Sequence, residues 1–485
     1  MRIFPLPSRP AALAGLAVLT AVPLLAGCAG ESEALSRLQR EQATRENVPL
    51  NGCDEVECEG ELDGADYEIR LPDEWNGTLM IYSHGYRQAE PAPPDFEPVD
   101  TAPATAPNDE VADELLADGY ALAGSAFRSN GWDVLDGVAA GEALHEFFTD
   151  EIGEPDRVYV WGDSLGGLIT QTLAEKHPAW VSGVAPFCGV LGGSNLNLDL
   201  ALDAAYAIKT LIYPELKLTG FASHDEAVAN WEAARDAIAE AGADIESGVP
   251  ALLVVAAMTD VPAQTRTYDG SGIESQVRAR AESILTAIGY GTFGRYEIEQ
   301  RVGGNPSGNE DADYAGRLSD DERSLIDTVS QGAADELVQA LEDGERVAPE
   351  TEARAEFDTM GNPTGKLADK TITMHTTADP LVIVQNERVF RDRVSAARGR
   401  TGDLVQLYTL PPATYDEETG APFGAGHCNF TAPQRLAVIE LLDGWVREGR
   451  VPGSASIPAA FTGDPFVSQS FAPGAWPAEE GAAAQ

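Results

Sequence analysis

The stretch that most constrains this chain is Arg157-Val158-Tyr159-Val160-Trp161-Gly162-Asp163-Ser164-Leu165-Gly166-Gly167. The apolar run Val158 to Trp161 predicts a strand buried on both faces, the usual state of a central parallel strand. It leads straight into G-x-S-x-G and then a helix-like segment, Leu168 to Lys176. Gly162 and Gly166 suit a sharp strand-to-helix turn, where side chains would clash as the backbone doubles back. That turn would lift Ser164 above the sheet with its hydroxyl outward. A serine so placed is a nucleophile that needs a base.

The chain offers six histidines. His145 falls in an amphipathic stretch and His177 ends the segment after the nucleophile, so both read as surface residues. His224 lies in a long acidic region, His375 inside a strand-like run, and His84 in the turn Ser83-His84-Gly85-Tyr86. His427 sits in Gly424-Ala425-Gly426-His427-Cys428, a flexible turn between the last strand and the last helix. From there an imidazole can reach over the sheet edge that carries Ser164, which makes His427 the candidate base. For the orienting acid, Asp379 follows directly on the strand ending at His375, and Pro380 stiffens its turn. Asp403, before a strand, and Asp416, in a charged loop, are its competitors.

Around these residues the chain alternates strand and helix patterns. Ala65 to Leu71 reads as an edge strand, and Thr78 to Tyr82, Tyr120 to Ser125 and Val181 to Phe187 as further strands. Trp132 to Ile152 reads as an amphipathic helix. That rhythm predicts an α/β fold with a mostly parallel sheet flanked by helices. It breaks after Cys188. Residues 191–366 read as helical and acidic, with the apolar run Ala251 to Met258 as buried core, and a glycine-rich loop at Gly303 to Gly308. From Lys370 the rhythm returns: strand Thr371 to His375, helix Val384 to Ala397, strand Leu404 to Leu410. A closing helix opens with the capping-box sequence Thr431-Ala432-Pro433-Gln434.

The order Ser164, Asp379, His427 resembles the α/β-hydrolase superfamily, whose triad runs nucleophile, acid, histidine. The likeness extends from about Ala65 to Glu448. It implies that residues 191–366 form a helical lid, inserted after the strand that follows the nucleophile helix. It also implies an oxyanion hole at His84-Gly85, built from the backbone N–H of Leu165 and of Tyr86, or of Gly85. The motif departs from the lipase and esterase form by lacking further glycines after Gly85. The resemblance implies a serine hydrolase acting on a small-molecule ester, with a short peptide as the alternative substrate. A non-catalytic ligand-binding role on the same scaffold is the reading from a different class.

The amino terminus bears on location. Arg2 and Arg9 precede the apolar run Ala11 to Leu25, which predicts a secretory signal. Leu25-Ala26-Gly27-Cys28 resembles a bacterial lipobox, which would make Cys28 the lipidated first residue of a surface-tethered protein, the membrane being met only through that anchor; an ordinary signal cut nearby, giving a secreted protein, is the alternative. Export permits disulfides. The remaining cysteines, Cys53, Cys58, Cys188 and Cys428, allow three pairings. Cys53 with Cys58 would close a short loop, and Cys188 with Cys428 would tie a core strand to the histidine turn; buried free thiols are the alternative. The expected organisation is a signal over 1–27, a tether with a short Cys loop over 28–60, and core over 61–190. The lid at 191–366, core at 367–449 and a flexible tail at 450–485 complete it.

A formal charge of −47 repels nucleic acid and anionic lipid, which excludes nucleic-acid binding. The acids are spread along the chain, as in a solvated surface. No spacing calls for a metal or another cofactor, and Asp54-Glu55-Val56-Glu57 reads as a solvated loop.

Overall fold

The computed structural model describes residues 50–53, 58–367, 369–399, 401–415, 424–461, 464 and 466–477. The expected signal at 1–27, Cys28, the acidic residues 54–57 and Asp416 lie outside them. The first elements are β1 (Glu59–Leu62), β2 (Ala65–Arg70), β3 (Thr78–Ser83), α1 (Asp109–Ala117), β4 (Ala121–Ser125) and α2 (Val134–Phe147). There follow β5 (Arg157–Asp163), α3 (Leu165–Lys176) and β6 (Val181–Phe187). The insertion holds α4 (Ser194–Leu211), α5 (His224–Ala243), α6 (Gly248–Thr259), α7 (Ile273–Ala287), α8 (Phe293–Val302), α9 (Asp320–Val329), α10 (Ala333–Asp343) and α11 (Thr351–Phe357). The core resumes with β7 (Lys370–Thr376), α12 (Gln385–Arg398), β8 (Leu404–Thr409) and α13 (Ala432–Glu448), then α14 (Ser456–Ala460) and β9 (Val467–Ser468).

The strands form one sheet in the order β1-β2-β4-β3-β5-β6-β7-β8-β9. Strands β3 to β8 are parallel, and β1, β2 and β9 are antiparallel additions at the two sides. β5 runs through the middle, and its side chains alternate. Val158 and Val160 pack with Ile169 and Leu173 of α3, whereas Tyr159 and Trp161 pack with Leu442 and Trp445 of α13. Burial on both faces is what the apolar run demanded, because a pleated strand sends successive side chains to opposite sides. The closing helix begins where the sequence placed it: Thr431 and Gln434 form a reciprocal capping box, so two otherwise orphaned N–H groups are satisfied. This strand order, with a serine turn after the fifth strand, is that of the α/β-hydrolase fold.

The insertion has its own apolar core, organised around α6. Every residue of α6 from Val249 to Thr259 is buried, against helices α4, α5, α7, α9 and α10. Each fully buried Leu, Val or Met there contributes about 1.5–3 kcal/mol, which allows a helix with no polar face to be stable. Among the described residues no single helix is long and apolar enough to cross a membrane.

Two expectations need correction. Ala65 to Leu71 is not an edge: β1 pairs outside it, and the core strands therefore begin at Glu59, within the stretch assigned to the tether. Among the described residues, the segment after Gly449 is not a free tail. β9 pairs with β8, and Trp476 is buried against Ile383 and Val389. Ile457 and Phe461 are buried as well, on the α13 side of the sheet. Side chains of that size lose too much by staying in water, so the tail docks.

Candidate active site

Ser164 stands between β5 and α3 with φ 59° and ψ −121°, a conformation a serine adopts only when its surroundings force it. The surroundings are the two glycines. A Cβ on Gly166 would lie 2.0 Å from the Ser83 carbonyl oxygen, and one on Gly162 would lie 2.4 Å from the same atom. With both Cβ atoms absent, the turn packs directly on the end of β3. Ser164 N–H donates to Phe187 O (2.9 Å) and Ser164 O accepts from Val190 N–H (3.3 Å), so β6 fixes it from the other side.

The structure brings the three sequence candidates into one line. Ser164 Oγ lies 2.8 Å from His427 Nε2, and His427 Nδ1 lies 2.7 Å from Asp379 Oδ2. A carboxylate oxygen only accepts, so Nδ1 carries the proton and Nε2 is free to receive that of the serine. Asp379 is buried, and its other oxygen accepts from Leu381 N–H (2.9 Å) and Val382 N–H (3.0 Å). Burial pushes its carboxyl up, but His427, His375 and these N–H donors outweigh that and hold it below the usual carboxylate range. Of the competing acids, Asp403 pairs with Lys370 (2.5 Å) and Arg398 (3.2 Å) at the start of β8. Asp416 is not among the described residues.

Leu165 opens α3, so its N–H is one that a helix leaves without an internal partner. Gly85 crosses directly over the serine: a Cβ there would lie 3.3 Å from Ser164 Cβ. Among the described residues no acceptor takes the N–H of Gly85 or Tyr86. The first turn of α3 and the Gly85 segment thus both adjoin Ser164. The His84 ring is not part of this set. It turns inward, stacks on Phe127 (4.0 Å) and bonds Gly85 O (2.7 Å), and burial with Arg87 nearby lowers its pKa to about 4.

Of the three pairings that the sequence left open, the structure holds Cys53 with Cys58 and Cys188 with Cys428. The second joins the end of β6 to the residue after His427. Cys188, His427 and Cys428 converge closely enough to hold a metal ion, but the disulfide consumes the two thiols.

Several residues of this site escaped the sequence reading. Asp163, the variable position of G-x-S-x-G, is buried, accepts from Tyr82 (3.1 Å) and pairs with Arg435 of α13 (2.5 Å). Arg435 also donates to Cys428 O (3.3 Å), so one guanidinium links the serine turn to the histidine turn. The insertion contributes Tyr290, whose ring meets Tyr86 at 5.1 Å and Trp132 at 5.8 Å. These aromatic residues line a narrow cleft that opens on Ser164. Its walls are apolar, with Leu198, Ala201 and Val261 from the insertion side and Leu381, Val382 and Ile383 from the turn after Asp379. No signal short of the folded chain could have assembled them. His145 and His177, read as surface residues, are half-buried against Trp180.

No protein-family profile matches the sequence, and no curated protein matches it. Solved structures do. Feruloyl esterase B from Aspergillus oryzae is 14% identical with a TM-score of 0.39, over 81% of this chain and 80% of its own. The rice cell wall degrading esterase LipA from Xanthomonas oryzae is 11% identical with a TM-score of 0.33, over 80% and 87%. Likeness at this level adds nothing to the general arrangement of strands and helices that the strand order already gives.

Proposed function

We propose that this chain is a serine hydrolase that cleaves carboxylic esters through an acyl-enzyme. The observation that carries the reading is the unbroken hydrogen-bonded line from Ser164 Oγ through His427 to buried Asp379. His427 Nε2 takes the hydroxyl proton as Oγ attacks the carbonyl carbon, while Asp379 stabilises the imidazolium without taking the proton itself. The N–H of Leu165 and of Tyr86 or Gly85 donate to the developing oxyanion, each such donor being worth about 3 kcal/mol in comparable sites. Breakdown of the intermediate expels the alcohol, protonated by His427, and water then clears the acyl group by the same route in reverse.

The cleft supports an ester with an apolar acyl group. Its lining includes no Asp, Glu, Lys or Arg among the described residues. An aminopeptidase needs carboxylates to hold the substrate amine. A second cleft shares Tyr86 and is lined by Glu90 and Glu297, of which Glu297 is already paired with Arg301 (2.7 Å). The same reading places the protein outside the cytoplasm, tethered through Cys28. Its support is the Leu25-Ala26-Gly27-Cys28 sequence and a pair of disulfides, which persist in oxidising compartments.

The test is a panel of p-nitrophenyl esters of graded acyl length beside aminoacyl p-nitroanilides, with the purified signal-free protein. Ester cleavage that improves with acyl length until the cleft is filled is the expected result. Cleavage of the anilides in preference to the esters would overturn it in favour of the peptidase.

A further inference from the structure

His375 sits on β7 with its side chain fully enclosed, as is that of Glu387 on α12. Neither belongs to the Ser164, His427 and Asp379 line, yet both are ionisable groups kept entirely from water. Isolated charges in such a place are costly, and they persist only where partners compensate them.

The partners define the protonation. His375 Nε2 lies 2.8 Å from Val382 O, which only accepts, so Nε2 carries a proton. His375 Nδ1 lies 3.4 Å from Glu387 Oε1. The other oxygen, Glu387 Oε2, accepts from Thr373 Oγ1 (2.6 Å) and Gln406 Nε2 (2.5 Å), as a carboxylate does. A proton on Nδ1 as well completes the set. The ring is then an imidazolium with Glu387 on one side and Asp379 Oδ2, at 3.7 Å, on the other. Burial would lower its pKa, but the two carboxylates and the Val382 carbonyl raise it above the ordinary value. Facing groups on the packed elements are Glu387 of α12, Asp379 of the following turn with His427 beyond it, and Tyr408, His375's neighbour in register on β8.

We infer that His375, held as a cation by Glu387, is a positioning residue that keeps Asp379 ionised and clamps the turn forming one wall of the acyl cleft. The inference rests on the serine-hydrolase reading above. The clamp runs both ways through one residue: Val382 O accepts from His375, and Val382 N–H donates to Asp379. Val382, with Leu381 and Ile383, lines the cleft beside Ser164. One imidazole therefore sets both the acid that orients His427 and the surface that meets the acyl chain. The electrostatic consequence has a definite sign. A cation behind Asp379 opposes the gain of a second positive charge at His427, so removing it makes His427 more basic.

The test uses His375→Gln, which keeps a donor toward Val382 O but cannot ionise, and Glu387→Gln, which keeps shape but loses the charge that holds the imidazolium. Both should move the acid limb of the kcat/KM profile upward by on the order of one pH unit. His375→Gln should in addition raise KM for long-chain esters more than for acetate esters, because the wall loosens. A ¹⁵N-histidine spectrum of the Ser164→Ala protein supplies a readout independent of activity. It should show an imidazolium at mildly alkaline pH, absent from the spectrum of Glu387→Gln. Folded variants with the wild-type acid limb, or a spectrum with only neutral histidines, would overturn the inference. Should the wild type show no Ser164-dependent activity at all, the hydrolase reading fails, and the spectrum still decides whether His375 is charged.

Discussion

Ser164 holds a positive φ that costs about 1–3 kcal/mol for a residue with a side chain, and Gly162 and Gly166 make it attainable by letting the turn press against β3. This much was legible in five residues, because the chemistry of a sharp turn dictates its glycines. His427 and Asp379 were legible for a similar reason, since each follows a recognisable strand and sits in a turn with glycine or proline. His375 was not. A histidine inside a strand carries no local mark of its partner, and Glu387 becomes that partner only once α12 packs on β7. His84 supports a pH prediction at this scale. Its folded-state pKa, about 4, lies below the ordinary histidine value, so the unfolded chain binds the extra proton first. The stability it contributes is complete above about pH 6.5 and is lost as pH falls through that range toward 4, by up to about 3 kcal/mol. Urea unfolding should show His84→Asn losing less stability than the wild type across that window, and equal losses would contradict the assignment.

Among the elements, β3, β5 and β6 converge on the serine turn, and the histidine turn is attached to them from a distance. Two cross-links make the attachment: Cys188–Cys428, spanning 240 residues, and Asp163–Arg435. Sequence allowed the first as one pairing among three and was silent on the second, because an acid and an arginine so far apart share no pattern. We expect Cys188→Ser with Cys428→Ser to cost about 2–5 kcal/mol, as loss of a native disulfide closing a long loop does. It should also slow reaction at Ser164, since Cys428 adjoins His427. Cys53→Ser with Cys58→Ser, just before the first strand and on no element that holds the histidine turn, should leave that rate unchanged. Calorimetry and probe-labelling rates on both double variants check this, and an unaffected rate in the first would show that the histidine turn holds itself.

For the whole molecule, a mostly parallel sheet flanked by helices followed from the alternation of strand and helix patterns, whereas the strand order and the seating of the insertion did not. Its helices bury one another through α6, and only their packed surface decides that Tyr290, Leu198 and Val261 reach the cleft. The tail was misread for the same reason: its composition suggests loop, but Trp476 packs on Ile383 and on Val389 of α12, a surface that exists only in the folded chain. Charge acts at this scale too. A formal −47 spread over the surface destabilises the compact state by self-repulsion, and salt screens it. The melting temperature should rise steadily with sodium chloride from low to molar concentration, and a flat or falling curve would mean that local pairs already offset the repulsion.

The central claim is that Ser164 is a nucleophile activated by His427. Labelling of the purified protein with a fluorophosphonate probe, read as intact mass, tests it most directly. We predict one adduct on the wild type, none on Ser164→Ala and a greatly slowed adduct on His427→Ala. A folded wild type that stays unlabelled, or a Ser164→Ala protein that labels as fast, would contradict it.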